Sequence, residues 1–420
     1  MKQRGMAGNS RTIIVIGGGA AGFFTAIQIR EQRPDAEVVI LEKTAKLLSK
    51  VRISGGGRCN VTNACGQISA FARHYPRGEK FLQKAFHVFS NQDTIQWFAG
   101  RGVKLVAEPD GRMFPVTNTS QTIIDTFLDA AVRHHIRIYT QTAARSITPL
   151  DGGGYAVATD SGIMEAGAVV LATGGYPKAE MYAWLQPQPV AAHIVAPVPS
   201  LFSFNLPGNA IVDLQGLSVP DAKVKIAGTK LAAQGPLLIT HWGLSGPAVL
   251  KLSAWGALLL EARQYRFEVI VNWLPEYNEE SVNAYLTEAQ MIFASRKMSN
   301  KNPFGLPSRL WQYFLAEAGV EEAVLWSHLK AKQRHLLARQ LCNMTVQVSG
   351  KTTYKEEFVT AGGIDTVYVD VQTMEHKLMP GLYVVGEALN IDGITGGFNF
   401  QNAWTTSFIA ARAIASKAPS

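Results

Sequence analysis

The chain has 420 residues, enough for more than one domain with its own core. Apolar residues make up 47% and charged residues 17%, which excludes a disordered chain and suits a globular one. Lys and Arg outnumber Asp and Glu by 40 to 32, but the +8 surplus is scattered and includes no run of five basic residues, so a nucleic-acid footprint is disfavoured.

Three cysteines, Cys59, Cys65 and Cys342, form no CxxC pair. That argues against a disulfide framework and a dithiol centre, and it fits a reducing cytoplasm. Lys2, Arg4 and Arg11 precede an apolar run from Ile13 to Ile29, as in a secretion signal. Gly17, Gly18, Gly19 and Gly22 interrupt it, and no cleavage site follows. No apolar stretch is long enough to span a membrane.

In chain order, Thr12–Ile16 reads as a buried strand, Ala20–Gln32 as a helix and Glu37–Leu41 as a second buried strand. This is a βαβ unit with parallel strands. Residues 91–100 and 119–134 read as helices. Strands are expected at 136–139, 155–159 and 168–171, with a turn at Asp151-Gly152-Gly153-Gly154. Prolines from Pro177 to Pro207 suggest that the chain leaves the first domain there. Residues 201–271 read as β-rich, including the apolar pieces AIVDL and GPLLIT, and 276–338 as helical. Gly381–Gly386 then reads as a short buried strand and Asn402–Lys417 as a helix. The expected domains are a discontinuous α/β domain (1–192 and 343–420), a β-rich insert (193–275) and a helical subdomain (276–342).

Gly17-Gly18-Gly19-Ala20-Ala21-Gly22 satisfies G-x-G-x-x-G between a strand and a helix. Gly17 permits the tight turn, Gly19 lets the backbone approach a diphosphate, and Gly22 lets the helix pack on the strand. Ala20 and Ala21 open the helix, whose free N–H groups suit the phosphates. Glu42 ends the second strand twenty residues beyond Gly22, with Lys43 beside it. A carboxylate there accepts ribose hydroxyls and disfavours a 2′-phosphate.

Further cofactor candidates follow. Ser54, Gly55, Gly56, Arg58, Cys59 and Asn60 lie in a glycine loop whose backbone donors make an anion nest, with Lys50 four residues earlier. Ala172, Thr173 and Gly174 close a buried strand with small residues. Gly386 and Glu387 end the C-terminal strand, and Glu387 is a candidate for a ribitol hydroxyl. Gly396, Gly397, Phe398 and Asn399 open the last helix beside the expected flavin N1–C2 carbonyl edge.

These pieces resemble the bacterial HI0933-like flavoproteins, also called BaiN-type NAD(P)/FAD-dependent oxidoreductases. The resemblance rests on Gly17–Gly22 with Glu42, on Ser54–Asn63, on Thr240–Pro247, and on Thr360–Ile364 through Gly381–Glu387 to Gly396–Asn399. It implies a two-dinucleotide-binding-type FAD Rossmann domain, with a parallel sheet discontinuous in sequence, an inserted β-barrel-like domain and a small helical domain. It also implies noncovalent FAD. One branch of the family is linked to reduction of carbon–carbon double bonds in bile-acid enones. This chain departs from the family at Leu48-Ser49, where Gly-Arg is common. It departs again after Gly175, where Tyr176-Pro177 replaces a Gly-Ser-Thr-Gly-Asp-Gly stretch.

No second strand–GxGxxG–helix unit exists for a nicotinamide, so NAD(P)H would dock transiently over the flavin or another donor would serve. The expected partner is a small organic acceptor; no metal is called for, and oligomeric state is not legible. His241, in the glycine-flanked Thr240–Pro247 motif, is the candidate proton donor, since imidazole suits proton transfer near neutral pH. Arg112 is a candidate for an anionic substrate. Two readings stand beside the small-molecule reductase: an FAD-dependent nucleic-acid modifier, and a flavin sensor without turnover.

Overall fold

The computed structural model describes residues 12–353 and 359–417, so Lys2, Arg4 and Arg11 lie outside the described residues. The chain divides into two compact units, Met1–Pro199 with Lys355–Ser420, and Ser200–Tyr354.

The first unit is built on five strands and two long helices: β1 (Thr12–Ile16), α1 (Ala20–Gln32), β2 (Glu37–Leu41), β3 (Arg137–Tyr139), β4 (Ala168–Leu171), β5 (Leu382–Val384) and α2 (Phe398–Ser416). The sheet order is β3-β2-β1-β4-β5, all parallel, with Ile14 opposite both Val39 and Val169. This is the doubly wound order. Every residue of β1 is buried, as a strand with both faces covered requires, so its sequence is apolar throughout rather than alternating. α1 is buried from Ala21 to Ile29 and packs on α2, with the Phe24 and Trp404 rings 5.4 Å apart. Between β2 and β3 the chain adds the helix Gln121–Arg133 and a small antiparallel sheet of Thr62–Asn63, Arg112–Pro115 and Leu105–Ala107. Between β3 and β4 it adds a meander of Ala144–Pro149, Tyr155–Thr159 and Gly162–Ala166.

The second unit is one open antiparallel sheet of seven strands. Met344–Ser349 lies at one edge and Lys351–Thr352 at the other, so the expected barrel-like closure is absent among the described residues. The expected helical subdomain has no core of its own. Leu286, Trp311 and Leu341 from the helices Glu279–Ile292, Ser308–Glu317 and Ala331–Asn343 share one cluster with Val269 and Val346 from the sheet.

The sequence reading places the return to the first domain at 343. Met344–Ser349 instead pairs antiparallel with Arg266–Asn272 in the inserted sheet, and its buried-exposed alternation gives that sheet an apolar face. AIVDL is a 3₁₀ turn, capped by Asn209 Oδ1 accepting the Ile211 N–H, and not a strand. Pro247–Ala262 is a helix inside the stretch expected to be β-rich. Its apolar residues fall on almost every position, so no period marks it, and Pro at its first position was the available signal.

Candidate functional site at the carboxyl edge of the parallel sheet

β1 and β4 lie side by side at the centre of the sheet, where the winding reverses, and their carboxyl ends form the crevice in which such folds bind ligands. Gly17 leaves β1 with φ +119, and its N–H donates to Leu41 O at 2.8 Å. A Cβ on Gly17 would lie 2.3 Å from Ala172 O, and one on Gly22 would lie 1.9 Å from Gly17 O. Both positions therefore exclude any side chain. Gly19 is different: an added Cβ would meet nothing within 4 Å. Close packing requires the first two glycines, whereas open space stands in front of the third. Gly19 caps α1 without a side-chain bond, so the N–H groups of Ala20, Ala21 and Gly22 have no intrahelical acceptor and face that space.

Glu42 stands at the end of β2. Its Oε2 accepts the Gly18 N–H at 2.9 Å, and its Oε1 accepts the Thr44 N–H and hydroxyl, each at 2.8 Å. The carboxylate is thus fixed against the glycine turn with lone pairs to spare for ribose hydroxyls. The Lys43 ammonium lies 5.0 Å over the Tyr176 ring, and Tyr176 packs edge-on against Tyr182 at 4.7 Å. These tyrosines occupy the segment that departs from the family pattern. The sequence reading marked Tyr176-Pro177 as a departure, and the structure adds the packing of Tyr176 on Tyr182.

The glycine loop forms the end of a kinked helix, Ser49–Gly57. Gly55, Gly56 and Gly57 have φ of 59, 69 and 83 in succession, a run open only to glycine. Ser54 is extended, and its carbonyl accepts the Cys59 N–H at 2.9 Å. Cys59 is fully buried, and burial pushes its thiol up to about 12, so it is no nucleophile and shapes the loop instead. Asn60 is buried, and its Oδ1 has no partner among the described residues, an acceptor that a donor on a bound group would satisfy.

Arg58, the charged cofactor candidate of the loop, is paired within the protein. Its guanidinium binds Glu108 Oε1 at 2.7 Å and lies 3.9 Å over the Phe114 ring. Arg112 is similarly committed, to Glu108 and Asp110 at 2.7 Å each, so its suggested role toward an anionic substrate meets two carboxylates already in place.

Beyond β4, the Ala172 N–H donates to Ile16 O at 2.9 Å, the Thr173 hydroxyl donates to Gly174 O at 3.1 Å, and Gly174 turns with φ +69. Beyond β5, Gly386 presses on α1, an added Cβ lying 3.0 Å from that of Ala21. Glu387, expected to face ribitol, is engaged within the protein. Its Oε2 accepts the Lys50 ammonium at 2.6 Å, and its Oε1 accepts the Thr360 N–H at 3.1 Å. Lys50 and Glu387 are 337 residues apart, and no local pattern joins them.

The loop before α2 is clamped from several sides. Asn63 Nδ2 donates to Gly396 O at 3.1 Å, and a Cβ on Gly397 would lie 2.4 Å from Thr62 O. Asp392, fully buried, pairs with Arg77. The Tyr75 hydroxyl donates to Phe398 O at 2.7 Å, and the His74 ring stacks on Phe398 at 4.3 Å. Asn399 closes the loop on itself, its Oδ1 accepting the Gly393 N–H and its Nδ2 donating to Gly393 O. The side chains of Phe398 and Asn399 therefore build the loop, while the backbone N–H groups of the first turn of α2 stay without an intrahelical acceptor.

His241 belongs to the second unit. With Trp242 it forms the exposed two-residue tip of the hairpin joining Ala232–Thr240 to Gly243–Ser245, where Thr240 pairs with Gly243. The Thr240 hydroxyl accepts the N–H groups of Trp242 and Gly243, which fixes the turn.

The residues present fit an adenine dinucleotide: Gly19 leaves room, α1 offers its amino end, Glu42 is fixed at the ribose position, and Asn60 holds an unmet acceptor. A doubly wound sheet with this edge places the chain in the Rossmann class of dinucleotide-binding folds. The HI0933-like protein Rossmann domain matches residues 11–413, and the chain belongs to that family. It is 28% identical over 406 residues to the ribosomal RNA dihydrouridine synthase of Escherichia coli (strain K12), covering 95% of this chain and 96% of that protein. It is also 28% identical over 418 residues to the 3-dehydro-bile acid delta(4,6)-reductase of Clostridium scindens, covering 96% and 98%. Among solved structures, 3-ketosteroid delta1-dehydrogenase from Sterolibacterium denitrificans shares the fold, with a TM-score of 0.50 at 12% identity over 97% of this chain and all of that one. Among the described residues, no helix is long and apolar enough to cross a membrane.

Proposed function

We propose that the protein reduces a carbon–carbon double bond conjugated to a carbonyl in a small organic acceptor, with NAD(P)H docking transiently as the hydride donor. The observation that carries this reading is the glycine-built edge between Glu42 and the amino end of α2, in a chain similar over nearly its whole length to a reductase of such a bond. The two relatives share one chemistry in their names. Dihydrouridine is uridine with its ring double bond saturated, and a 3-oxo steroid unsaturated at positions 4 and 6 is a conjugated enone. Bound FAD supplies the two-electron redox chemistry.

The chain's own residues bind and orient. The first turn of α1 would hold the diphosphate and Glu42 the adenosine ribose of a bound dinucleotide. The amino end of α2 would favour negative charge on a reduced flavin. Saturation of the bond consumes one hydride and one proton. His241 is the candidate proton donor on imidazole chemistry alone.

A second reading, the same reduction of a uracil ring within RNA, is favoured by the Escherichia coli relative. One experiment separates the two. FAD-loaded protein is reduced anaerobically with NADH or NADPH, then offered steroid enones, quinones and uridine-containing RNA. Rapid bleaching, followed by reoxidation and a saturated enone, supports the first reading. Reoxidation by RNA alone, with dihydrouridine as product, transfers the proposal to the second. Protein that stays colourless with added FAD overturns both. In the same assay, His241→Ala should retain FAD and slow acceptor reduction; unchanged turnover removes His241 from the mechanism.

A further inference from the structure

We infer that Lys50 binds the diphosphate of the dinucleotide, held across the amino end of α1 by Glu387 as its positioning residue. This rests on the FAD reading above and adds a cation to it. The helix that carries Lys50 starts just after Leu48, whose N–H donates to Gly18 O in the glycine turn at 2.9 Å. The Lys50 ammonium lies 2.6 Å from Glu387 Oε2. Glu387 directly follows Gly386, which is pressed on Ala21 in the first turn of α1. The same Oε2 lies 3.8 Å from where a Cβ on Gly174 would be, at the mouth of the crevice. Both ends of the lysine are thus tied to residues that touch the α1 turn: its helix through Leu48 to Gly18, and its ammonium through Glu387, next to Gly386 against Ala21.

The electrostatics of that position favour an anion. The N–H groups of the first turn and the positive end of the helix already converge there. A second positive charge beside them is unfavourable unless negative charge compensates it. Glu387 supplies one carboxylate, which is itself fixed through the Thr360 N–H. The Lys50 side chain is 44% exposed and remains reachable from the crevice. A half-exposed ion pair is weak, and an ammonium carries three donors, so pairing with Glu387 is compatible with a phosphate oxygen.

The test measures binding of FAD, ADP and adenosine by calorimetry at several salt concentrations, with wild type, Lys50→Met, Lys50→Arg and Glu387→Gln. Thermal unfolding confirms that each variant is folded, as expected for an exposed side chain. Lys50→Met should weaken FAD and ADP by about 10- to 100-fold at low salt, the scale of a charge-assisted hydrogen bond, and leave adenosine unchanged. Its FAD affinity should also depend less on salt. Lys50→Arg should recover most of the loss, and Glu387→Gln should show a smaller one. Unchanged FAD and ADP affinity in Lys50→Met overturns the inference, as does an equal loss for ADP and adenosine. If wild type binds no FAD, the underlying reading falls as well, which is a distinct result.

Discussion

The carboxyl edge of the parallel sheet and the inserted sheet use glycine and burial in opposite ways. At the edge, positive φ recurs at Gly17, Gly55, Gly56, Gly57, Gly174, Gly386, Gly396 and Gly397. Irregular backbone of this kind persists only where the surroundings enforce it, and it collects where a ligand must be met. In the insert, strands such as Arg266–Asn272 and Met344–Ser349 alternate regularly over one aliphatic and aromatic core, and the irregular backbone is a bulge between Val219 and Ala222 and scattered positive-φ glycines such as Gly235 and Gly243. The first region gives up side-chain volume to present backbone donors. The second fills volume and presents little backbone. Substitutions should therefore separate into those that cost ligand and those that cost fold.

The sharpest break in that comparison lies within the first region. Gly22→Val places a Cβ where Gly17 O already stands, so α1 must move off β1. We expect a loss above about 3 kcal/mol by denaturant unfolding, beyond ordinary overpacking, and no flavin bound. Gly19→Ala should fold with a midpoint near wild type, because its Cβ meets nothing and its φ of −95 suits alanine. It should nevertheless lose FAD, since the methyl occupies the approach to the helix amino end. Equal destabilisation by both substitutions would remove the distinction between packing and ligand glycines.

Leu341→Ala probes the other region. Leu341 is fully buried in the core shared by helices and sheet, and truncation should cost about 2–5 kcal/mol. Because the core is shared, hydrogen exchange should accelerate in Met344–Ser349 and Arg266–Asn272 together with the helices. Faster exchange in the helices alone would restore the separate helical subdomain.

Much of the first region was legible in the sequence because its constraints are local. Thr12–Ile16, Ala20–Gln32 and Glu37–Leu41 fall where apolar runs and glycines place them, and Gly17, Gly19 and Gly22 each show the geometry their spacing implies. What escaped was pairing at a distance. Glu108 claims Arg58 from 50 residues away, and Glu387 claims Lys50 from 337, so charges that look unpaired in sequence are engaged in space. In the insert, a helix apolar on most faces carries no period, and Met344–Ser349 became visible as part of the insert only through its pairing with Arg266–Asn272.

Glu42→Ala sharpens the ligand side. It removes a carboxylate fixed by Gly18 and Thr44, so FAD affinity should fall by about 1.5–3 kcal/mol, the worth of hydrogen bonds to a charged group. Adenosine should lose the same amount if the contact is to the ribose. An unchanged dissociation constant for both would refute that assignment.

The smallest effect lies near the amino end of β5, away from the ligand edge. His376 is 1% exposed, its backbone N–H donates to Leu382 O, and its ring Nδ1 has no partner among the described residues. Its Nε2 lies 3.4 Å from His193 Nδ1, and the His193 ring stacks on Tyr368. Burial, with His193 adding to it, lowers its pKa from 6.5 to about 4. The sign follows from proton counts. Between these values the unfolded chain takes up a proton that the folded chain refuses, so stability is complete above 6.5 and falls as pH drops toward 4. After allowance for relaxation around the ring, the loss should be about 1–2 kcal/mol. Urea unfolding across that range should show a shallower pH slope in His376→Phe than in wild type. Equal slopes would mean that His376 stays neutral in both states or is charged in both, and the amino edge would then add nothing to acid sensitivity.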